Sequence, residues 1–95
     1  MRWFVSRHVG AINWIKSTNT YIDRFVDHLD IEDINAGDIV YGTLPVHLAA
    51  EVCKRDARYF HLILDMPEHL RGQELDAKQL EKAHVRMQEF NIQPL

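Results

Sequence analysis

Residues 3–10 of this chain read Trp3-Phe4-Val5-Ser6-Arg7-His8-Val9-Gly10, and residues 39–47 read Ile39-Val40-Tyr41-Gly42-Thr43-Leu44-Pro45-Val46-His47. In each stretch a short apolar run, typical of a buried strand, ends near a hydroxyl-bearing residue, and a helical pattern begins a few positions later. If both strands are central and parallel, the two loops meet at the carboxyl edge of one sheet. Open α/β sheets bind their ligands at that edge.

The rest of the chain continues this alternation. Apolar, β-branched and aromatic runs predict strands over Arg2–Ser6, Tyr21–His28, Asp38–Gly42 and Arg58–Leu64. Helical spacing of apolar residues predicts helices over Gly10–Lys16 and Leu44–Lys54. We therefore expect one domain over residues 1–95: a small Rossmann-like three-layer sandwich with a mostly parallel, four-stranded core sheet and helices on both faces. The link between the second and third strands is short for a full crossover connection. An antiparallel strand at one edge of the sheet is therefore an alternative to a fully parallel arrangement.

A last helix is predicted near the C-terminus. Asp76 and Gln79 have the spacing of a capping box, and apolar residues follow at steps of three and four. The predicted apolar face of this helix consists of Leu80, Ala83, Met87 and Phe90. Residues 66–75, which precede it, are predicted to form a loop.

Composition excludes several classes of function. The 95 residues carry a formal net charge of −3, so the basic surface that binds long DNA or RNA is not expected. No apolar run approaches the roughly 20 residues of a membrane span, and the first residues enter a strand directly instead of resembling a signal peptide. Cys53 is the single cysteine, so no disulfide forms within the chain. We therefore expect a cytoplasmic protein without a membrane association.

Ser6, Arg7 and His8 are the first candidate site residues. Separately, serine can cap the following helix and arginine can be a surface charge. Together they offer a hydroxyl donor, a planar guanidinium and an imidazole within one turn at the ligand-binding edge, next to Gly10. This combination suits a phosphate group and proton transfer near neutral pH.

The second loop adds Gly42, Thr43 and His47. Gly42 allows close backbone approach, and His47 falls in the first turn of the predicted helix, where the helix dipole favours a neutral imidazole or a bound anion. Thr43 can instead be only a helix cap. Neither loop has the lysine and glycines of a Walker A motif or the GxGxxG fingerprint. A nucleotide cofactor bound in either manner is not expected, and no other cofactor is implied.

The remaining polar residues are weaker candidates. Arg71, in the predicted loop, is a candidate anion contact, whereas His61 within an apolar strand is typical of a core histidine. His28, Asp30 and Asp65 end predicted strands, and the two aspartates are more typical of caps or turns. A metal site is only weakly indicated, because no HxH, HExxH or paired-cysteine pattern occurs. The set that could form one is His8, His28, His47 and Asp65.

Three segments, Trp3–His8, Gly42–Ala50 and Arg71–Leu75, are similar to motifs of a known family. Over nearly its whole length, the chain resembles small CRISPR-associated accessory proteins found with type III systems. The resemblance implies a Rossmann-like fold related to the CRISPR-associated sensors of cyclic oligoadenylate. It also implies ring nuclease activity, the linearisation of that cyclic messenger. Cyclic tetra-adenylate has twofold symmetry, so the resemblance further suggests a homodimer.

Combined with the residues, this resemblance gives a specific expectation. The chain is expected to cleave cyclic oligoadenylate without a metal ion, with Arg7, His8 and His47 as catalytic residues. His8 is the first choice for acid or base and His47 the second. Ligand-binding roles are expected for Ser6, Gly10, Gly42, Thr43 and Arg71. The alternatives are a module that binds cyclic oligoadenylate without cleaving it, and a CRISPR accessory or structural interaction protein.

Overall fold

The computed structural model describes residues 1–65, 76, 78–79 and 84–95. The strands there are β1 (Arg2–Val5), β2 (Arg24–Val26), β3 (Ile39–Gly42), β4 (Arg58–Ile63) and β5 (Arg86–Phe90). The helices whose full extent is described are α1 (Val9–Ser17), α2 (Val46–Lys54) and a one-turn 3-10 helix (Ile31–Asp33) between β2 and β3. The predicted α/β class is confirmed. β1, α1, β3, α2 and β4 lie where the sequence predicts them, with small shifts at their ends.

The order of the strands creates a reversal in the sheet. Across the described residues the sheet runs β2-β1-β3-β4-β5, with β1 to β4 mutually parallel and β5 antiparallel to β4. From β1 the chain turns to one side to form β2, and from β3 it turns to the other side to form β4. The reversal between β1 and β3 is a topological switch point, the place where open α/β sheets form a ligand-binding crevice.

Helices cover both faces of the sheet because the side chains of buried strands alternate in direction. In β1, Trp3 and Val5 belong to the buried cluster around α2 and the 3-10 helix, whereas Phe4 belongs to the cluster around α1. β3 divides in the same way, with Val40 on the α2 side and Tyr41 on the α1 side. Burial of each such side chain contributes roughly 1.5–3 kcal/mol, so both faces depend on their helix.

The short link from β2 to β3 is compatible with parallel strands. It crosses β1 with only the 3-10 helix, where the Asp30 carboxylate accepts a hydrogen bond from the Glu32 N–H (3.1 Å). β2 is therefore parallel to β1, and the antiparallel edge strand is β5 instead. β2 is also shorter than the predicted Tyr21–His28. No helix in the described residues is long and apolar enough to cross a membrane.

The C-terminal helix begins as predicted but does not extend to Phe90. The Asp76 N–H donates to Oε1 of Gln79 (3.0 Å), and the Gln79 N–H donates to Oδ1 of Asp76 (2.8 Å), which completes the capping box. Residues 78–79 are helical, but the assignment of Met87 and Phe90 to the helix is wrong, since both belong to β5. Leu80, Ala83 and the loop predicted over 66–75 lie outside the described residues.

Cross-strand contacts explain this difference. Val85 and Met87, two residues apart, both pack on the α1 side, which is the period of a strand. Arg58 in β4 makes a two-point ion pair with Glu89 in β5, with N–O distances of 2.7 and 2.9 Å. The helical spacing of Met87 and Phe90 is therefore coincidental. Pairing with β4, invisible in the local sequence, determines the conformation.

Candidate active site at the switch point

A cleft of about 570 Å³ opens at the carboxyl ends of the parallel strands. This volume falls within the range of small-molecule sites, roughly 300–1,000 Å³. Its polar lining among the described residues comes from the loops after β1, β2 and β3 and consists of Ser6, Arg7, His8, Asp27, His28 and Thr43. Its apolar lining includes Phe4, Ala11, Leu44, Leu48, Leu62 and Leu64. Among the described residues, five that can donate hydrogen bonds and one carboxylate therefore surround a space with apolar walls at the switch point.

The loop after β1 is held by its own backbone and by β2. The Ser6 N–H donates to the carbonyl oxygen of Val26 (3.0 Å), which extends the β1–β2 pairing by one residue. The Ser6 Oγ accepts a hydrogen bond from the His8 N–H (3.0 Å) and so fixes the turn between them. The hydroxyl hydrogen of Ser6 is not used in that bond. The side chain can therefore shape the loop and donate to a ligand at the same time.

α1 begins directly at this loop. His8 precedes it in an extended conformation, and the His8 carbonyl oxygen accepts the first helical hydrogen bond from Ile12 (3.1 Å). The expectation that Ser6 could be the helix cap is therefore wrong, because His8 occupies that position. No described side chain caps the first turn of α1. Helix N–H groups that lack a capping acceptor favour an anion nearby.

The loop after β3 depends on Gly42. A Cβ built on this residue would lie 2.5 Å from the carbonyl oxygen of Val5, and its φ of +153° lies in a region that favours glycine. β1 and β3 can therefore approach closely at the switch point only with glycine here. The next residue, Thr43, is exposed at the cleft. It is not the cap of α2, because Pro45 occupies that position.

A buried tyrosine holds this second loop. The Tyr59 hydroxyl accepts a hydrogen bond from the Leu44 N–H (2.9 Å) and lies 3.2 Å from the Gly42 carbonyl oxygen and 2.6 Å from Nδ1 of His61. Burial raises the pKa of Tyr59 above its ordinary value, so the hydroxyl remains protonated near neutral pH. His61 is a half-buried histidine bonded to Tyr59, in agreement with its predicted structural role.

The structure brings most of the predicted site residues together. Ser6, Arg7, His8, Gly42 and Thr43 line the cleft, and so does His28. Gly10 lies within the first turn of α1 and is not part of the lining, while Arg71 lies outside the described residues.

His47 differs from the expectation that it would join the other loop residues. It is exposed in the first turn of α2 and does not line the cleft, whereas the next residue, Leu48, does. Of the two weaker acidic candidates, Asp30 caps the 3-10 helix and Asp65 pairs with Arg86 (2.8 Å). Both therefore have structural partners.

Sequence reasoning missed Asp27 and the apolar walls. The predicted strand Tyr21–His28 includes Asp27, whereas β2 ends at Val26 and leaves Asp27 in the loop that follows. An aspartate directly before a histidine at a strand end was the available signal. Leu62 and Leu64 fall within the predicted strand Arg58–Leu64, and both line the cleft.

The structure does not assemble the weakly indicated metal site. In the part of the chain that it describes, no three His, Cys, Asp or Glu side chains are grouped as ligands of a metal ion. His8, His28, His47 and Asp65 therefore do not form a common site. The chemistry that the cleft itself offers is hydrogen bonding, a guanidinium charge, a carboxylate and imidazole groups.

Comparison with known families gives one match. Residues 3–93 match the family described as "Putative CRISPR-associated protein (Cas_VVA1548)". The matched range includes every described residue that lines the cleft. No curated protein and no solved structure matches the chain at a significant level.

Proposed function

Because the chain belongs to this family of CRISPR-associated proteins, we propose that it is a ring nuclease that opens the cyclic oligoadenylate messenger of type III CRISPR systems. The observation that carries the proposal is the cleft at the switch point, where Ser6, Arg7, His8 and Thr43 surround a space with apolar walls. Hydroxyls and a guanidinium suit the phosphodiester groups of such a ring, and the apolar walls suit its bases.

The proposed reaction uses the ring's own nucleophile. A ribose 2′-oxygen attacks the adjacent phosphorus and forms a new P–O bond, while the bond from phosphorus to the 5′-oxygen breaks. The 2′-hydroxyl proton passes to a base, and a proton reaches the departing 5′-oxygen. The products are a 2′,3′-cyclic phosphate and a 5′-hydroxyl. Cleavage of this kind depends largely on in-line positioning and on stabilisation of charge on the phosphate oxygens.

The cleft residues have distinct parts in this reaction. Arg7 holds the phosphate oxygens through its planar donors, with the hydroxyls of Ser6 and Thr43 beside it. His8 exchanges the proton as acid or base, since an imidazole can both donate and accept a proton. The first turn of α1, which no described side chain caps, adds N–H groups that favour the developing negative charge. No step in this scheme requires a metal ion.

A twofold dimer suits the proposed substrate. One cleft of about 570 Å³ accommodates part of a ring of four adenylates. Two copies related by a twofold axis would present two such clefts to a ring of the same symmetry. Each copy would then contact one half of the ring through the same residues.

The test is incubation of the purified protein with labelled cyclic tetra-adenylate in EDTA, followed by chromatography. We expect linear adenylates that end in a 2′,3′-cyclic phosphate. Arg7→Ala should lower the single-turnover rate at least about tenfold. The matched control is Arg24→Ala, which removes an exposed arginine of β2 outside the cleft and should cleave like the wild type.

Other results would contradict the proposal in distinguishable ways. Intact ligand recovered after demonstrated binding would exclude cleavage and indicate the alternative, a module that sequesters cyclic oligoadenylate. Failure to bind any oligoadenylate would exclude both and favour an interaction protein. Equal rates in Arg7→Ala and Arg24→Ala would overturn the site assignment while leaving the activity standing.

A further inference from the structure

Asp27 is the one carboxylate among the described residues that line the cleft. It directly follows β2 and is exposed, and no hydrogen bond or ion pair joins its side chain to another described residue. The other polar residues of the lining can all donate hydrogen bonds, whereas an ionised carboxylate only accepts them. Asp27 therefore does not share the function of its neighbours.

The backbone fixes where Asp27 lies relative to the donors. Val5 pairs with Val26 in the β1–β2 register, and the Ser6 N–H donates to the Val26 carbonyl oxygen (3.0 Å). Asp27 is thus level with Ser6, one strand spacing away, which is about 4.8 Å. The apolar residue Leu62 belongs to β4 and Leu64 directly follows it, beyond β3 on the opposite side of Ser6.

This arrangement orders the cleft from one side to the other. Asp27 lies on the β2 side together with His28 and Leu29, Ser6 and Arg7 follow the neighbouring strand β1, and Leu62 and Leu64 lie on the β4 side. A phosphate next to Asp27 would be repelled, because like charges at such distances destabilise each other. The group that Asp27 suits must be a hydrogen-bond donor attached close to the phosphate.

A cyclic oligoadenylate carries two kinds of strong donor. Its 3′- and 5′-oxygens are esterified, so the donors are the 2′-hydroxyl groups and the adenine amino groups. The 2′-hydroxyl is one carbon away from the carbon that bears the phosphate, whereas the amino group is at the far edge of the base. With a phosphate at Ser6 and a base toward Leu62 and Leu64, the hydroxyl is the donor that faces Asp27.

We propose that Asp27 accepts a hydrogen bond from the ribose 2′-hydroxyl and so makes the cleft selective for ribonucleotides over deoxyribonucleotides. This inference rests on the proposed function and adds a specificity-determining residue to it. Holding the 2′-hydroxyl also orients the nucleophile of the proposed reaction toward the adjacent phosphorus.

The test compares the affinities for cyclic tetra-adenylate and its fully 2′-deoxy analogue, measured by rapid mixing in EDTA before cleavage. We expect the wild type to bind the ribose form roughly tenfold or more tightly, as is typical of a hydrogen bond to a charged group. Asp27→Ala should remove this preference. It should also bind the deoxy analogue more tightly than the wild type does, because a negative charge has left an anion site.

Two further variants make the comparison specific. Asp27→Asn keeps a neutral acceptor of the same shape and should retain part of the preference. Asp33→Ala removes an exposed carboxylate from the 3-10 helix, outside the cleft. This variant should keep the full preference for the ribose ring over the deoxy analogue. Since Asp27 is exposed and without a described partner, its replacement should not affect folding.

The outcomes separate this inference from the proposed function. A wild type that binds both rings equally, or an Asp27→Ala variant that keeps the full preference, would overturn the role of Asp27 and leave the proposed function intact. A wild type that binds neither ring would overturn both.

Discussion

The hydroxyl oxygen of Tyr59 lies 2.6 Å from Nδ1 of His61, and the same hydroxyl contacts both ends of the turn that carries Thr43. One hydroxyl hydrogen cannot serve both His61 and the Gly42 carbonyl oxygen. When Nδ1 carries a hydrogen, Tyr59 accepts from His61 and donates to Gly42. A fully buried side chain of β4 thus connects the core to the rim of the cleft.

Replacing Tyr59 with phenylalanine should therefore destabilise the protein. The Leu44 N–H would lose its acceptor in a buried environment, and we expect the free energy of unfolding to fall by about 1–3 kcal/mol. Urea denaturation measures this loss. Tyr41→Phe is the matched control, because Tyr41 is also buried but its hydroxyl makes no hydrogen bond to a described residue. Equal losses in the two variants would argue against the hydrogen-bonded turn.

Gly42→Ala should be more destabilising than the equivalent change at Gly37. Both glycines have positive φ values, +153° and +88°, so each alanine carries backbone strain, typically about 1–2 kcal/mol. Only at Gly42 does the new Cβ meet backbone, at 2.5 Å from the Val5 carbonyl oxygen, whereas nothing lies within 4 Å at Gly37. The difference in denaturation midpoints measures the close approach of β1 and β3. A Gly42→Ala variant as stable as Gly37→Ala would contradict it.

The two histidines of the loops should differ in their effect on cleavage. His8 lines the cleft, so His8→Ala should slow single-turnover cleavage of cyclic tetra-adenylate at least about tenfold. His47 is exposed outside the lining, so His47→Ala should remain close to the wild-type rate. If instead His47→Ala is the slow variant, the ring must engage the outer rim of α2 and not the cleft.

Asp38 should make stability depend on pH. Burial by itself would raise the pKa of this carboxyl, but hydrogen bonds from the Asn35 N–H, the Met1 ammonium and the Trp3 indole outweigh burial and lower it. A lowered pKa stabilises the fold above the unfolded value, near 3.9, and that contribution is lost as the pH falls through the folded value.

Asp38→Asn should accordingly be less stable than the wild type at pH 7, by about 1–3 kcal/mol. The difference should begin to narrow as the pH falls below about 4, where the Asp38 carboxyl of the unfolded chain takes up a proton. It should disappear once the pH is also below the lowered pKa of the folded carboxyl. Denaturation curves at a series of pH values provide the measurement, with the exposed Asp33→Asn as control. If the difference in the free energy of unfolding between the wild type and Asp38→Asn stays constant down to acidic pH, the charge of Asp38 is not what stabilises the fold.

Local sequence predicted the parts of the site that lie within one loop. Ser6, Arg7 and His8 are consecutive, and the glycine at position 42 marked the close approach correctly. Asp27 was missed because its place beside Ser6 comes from pairing of β2 with β1, two segments far apart in the chain. His47 lies in the first turn of α2 as predicted, but packing of α2 on the sheet brings Leu48 and not His47 into the lining of the cleft.

The sequence alone determined the strand–loop–helix units, because hydrophobic periodicity, β-branched residues and turn chemistry act over a few neighbouring positions. It also determined the donors of the two loops. Only the tertiary structure decided the strand order, the reversal between β1 and β3, and the strand conformation of Arg86–Phe90. Those features depend on strand pairing and burial between segments that are far apart in the chain. Local patterns and propensities do not show which distant segments will pair.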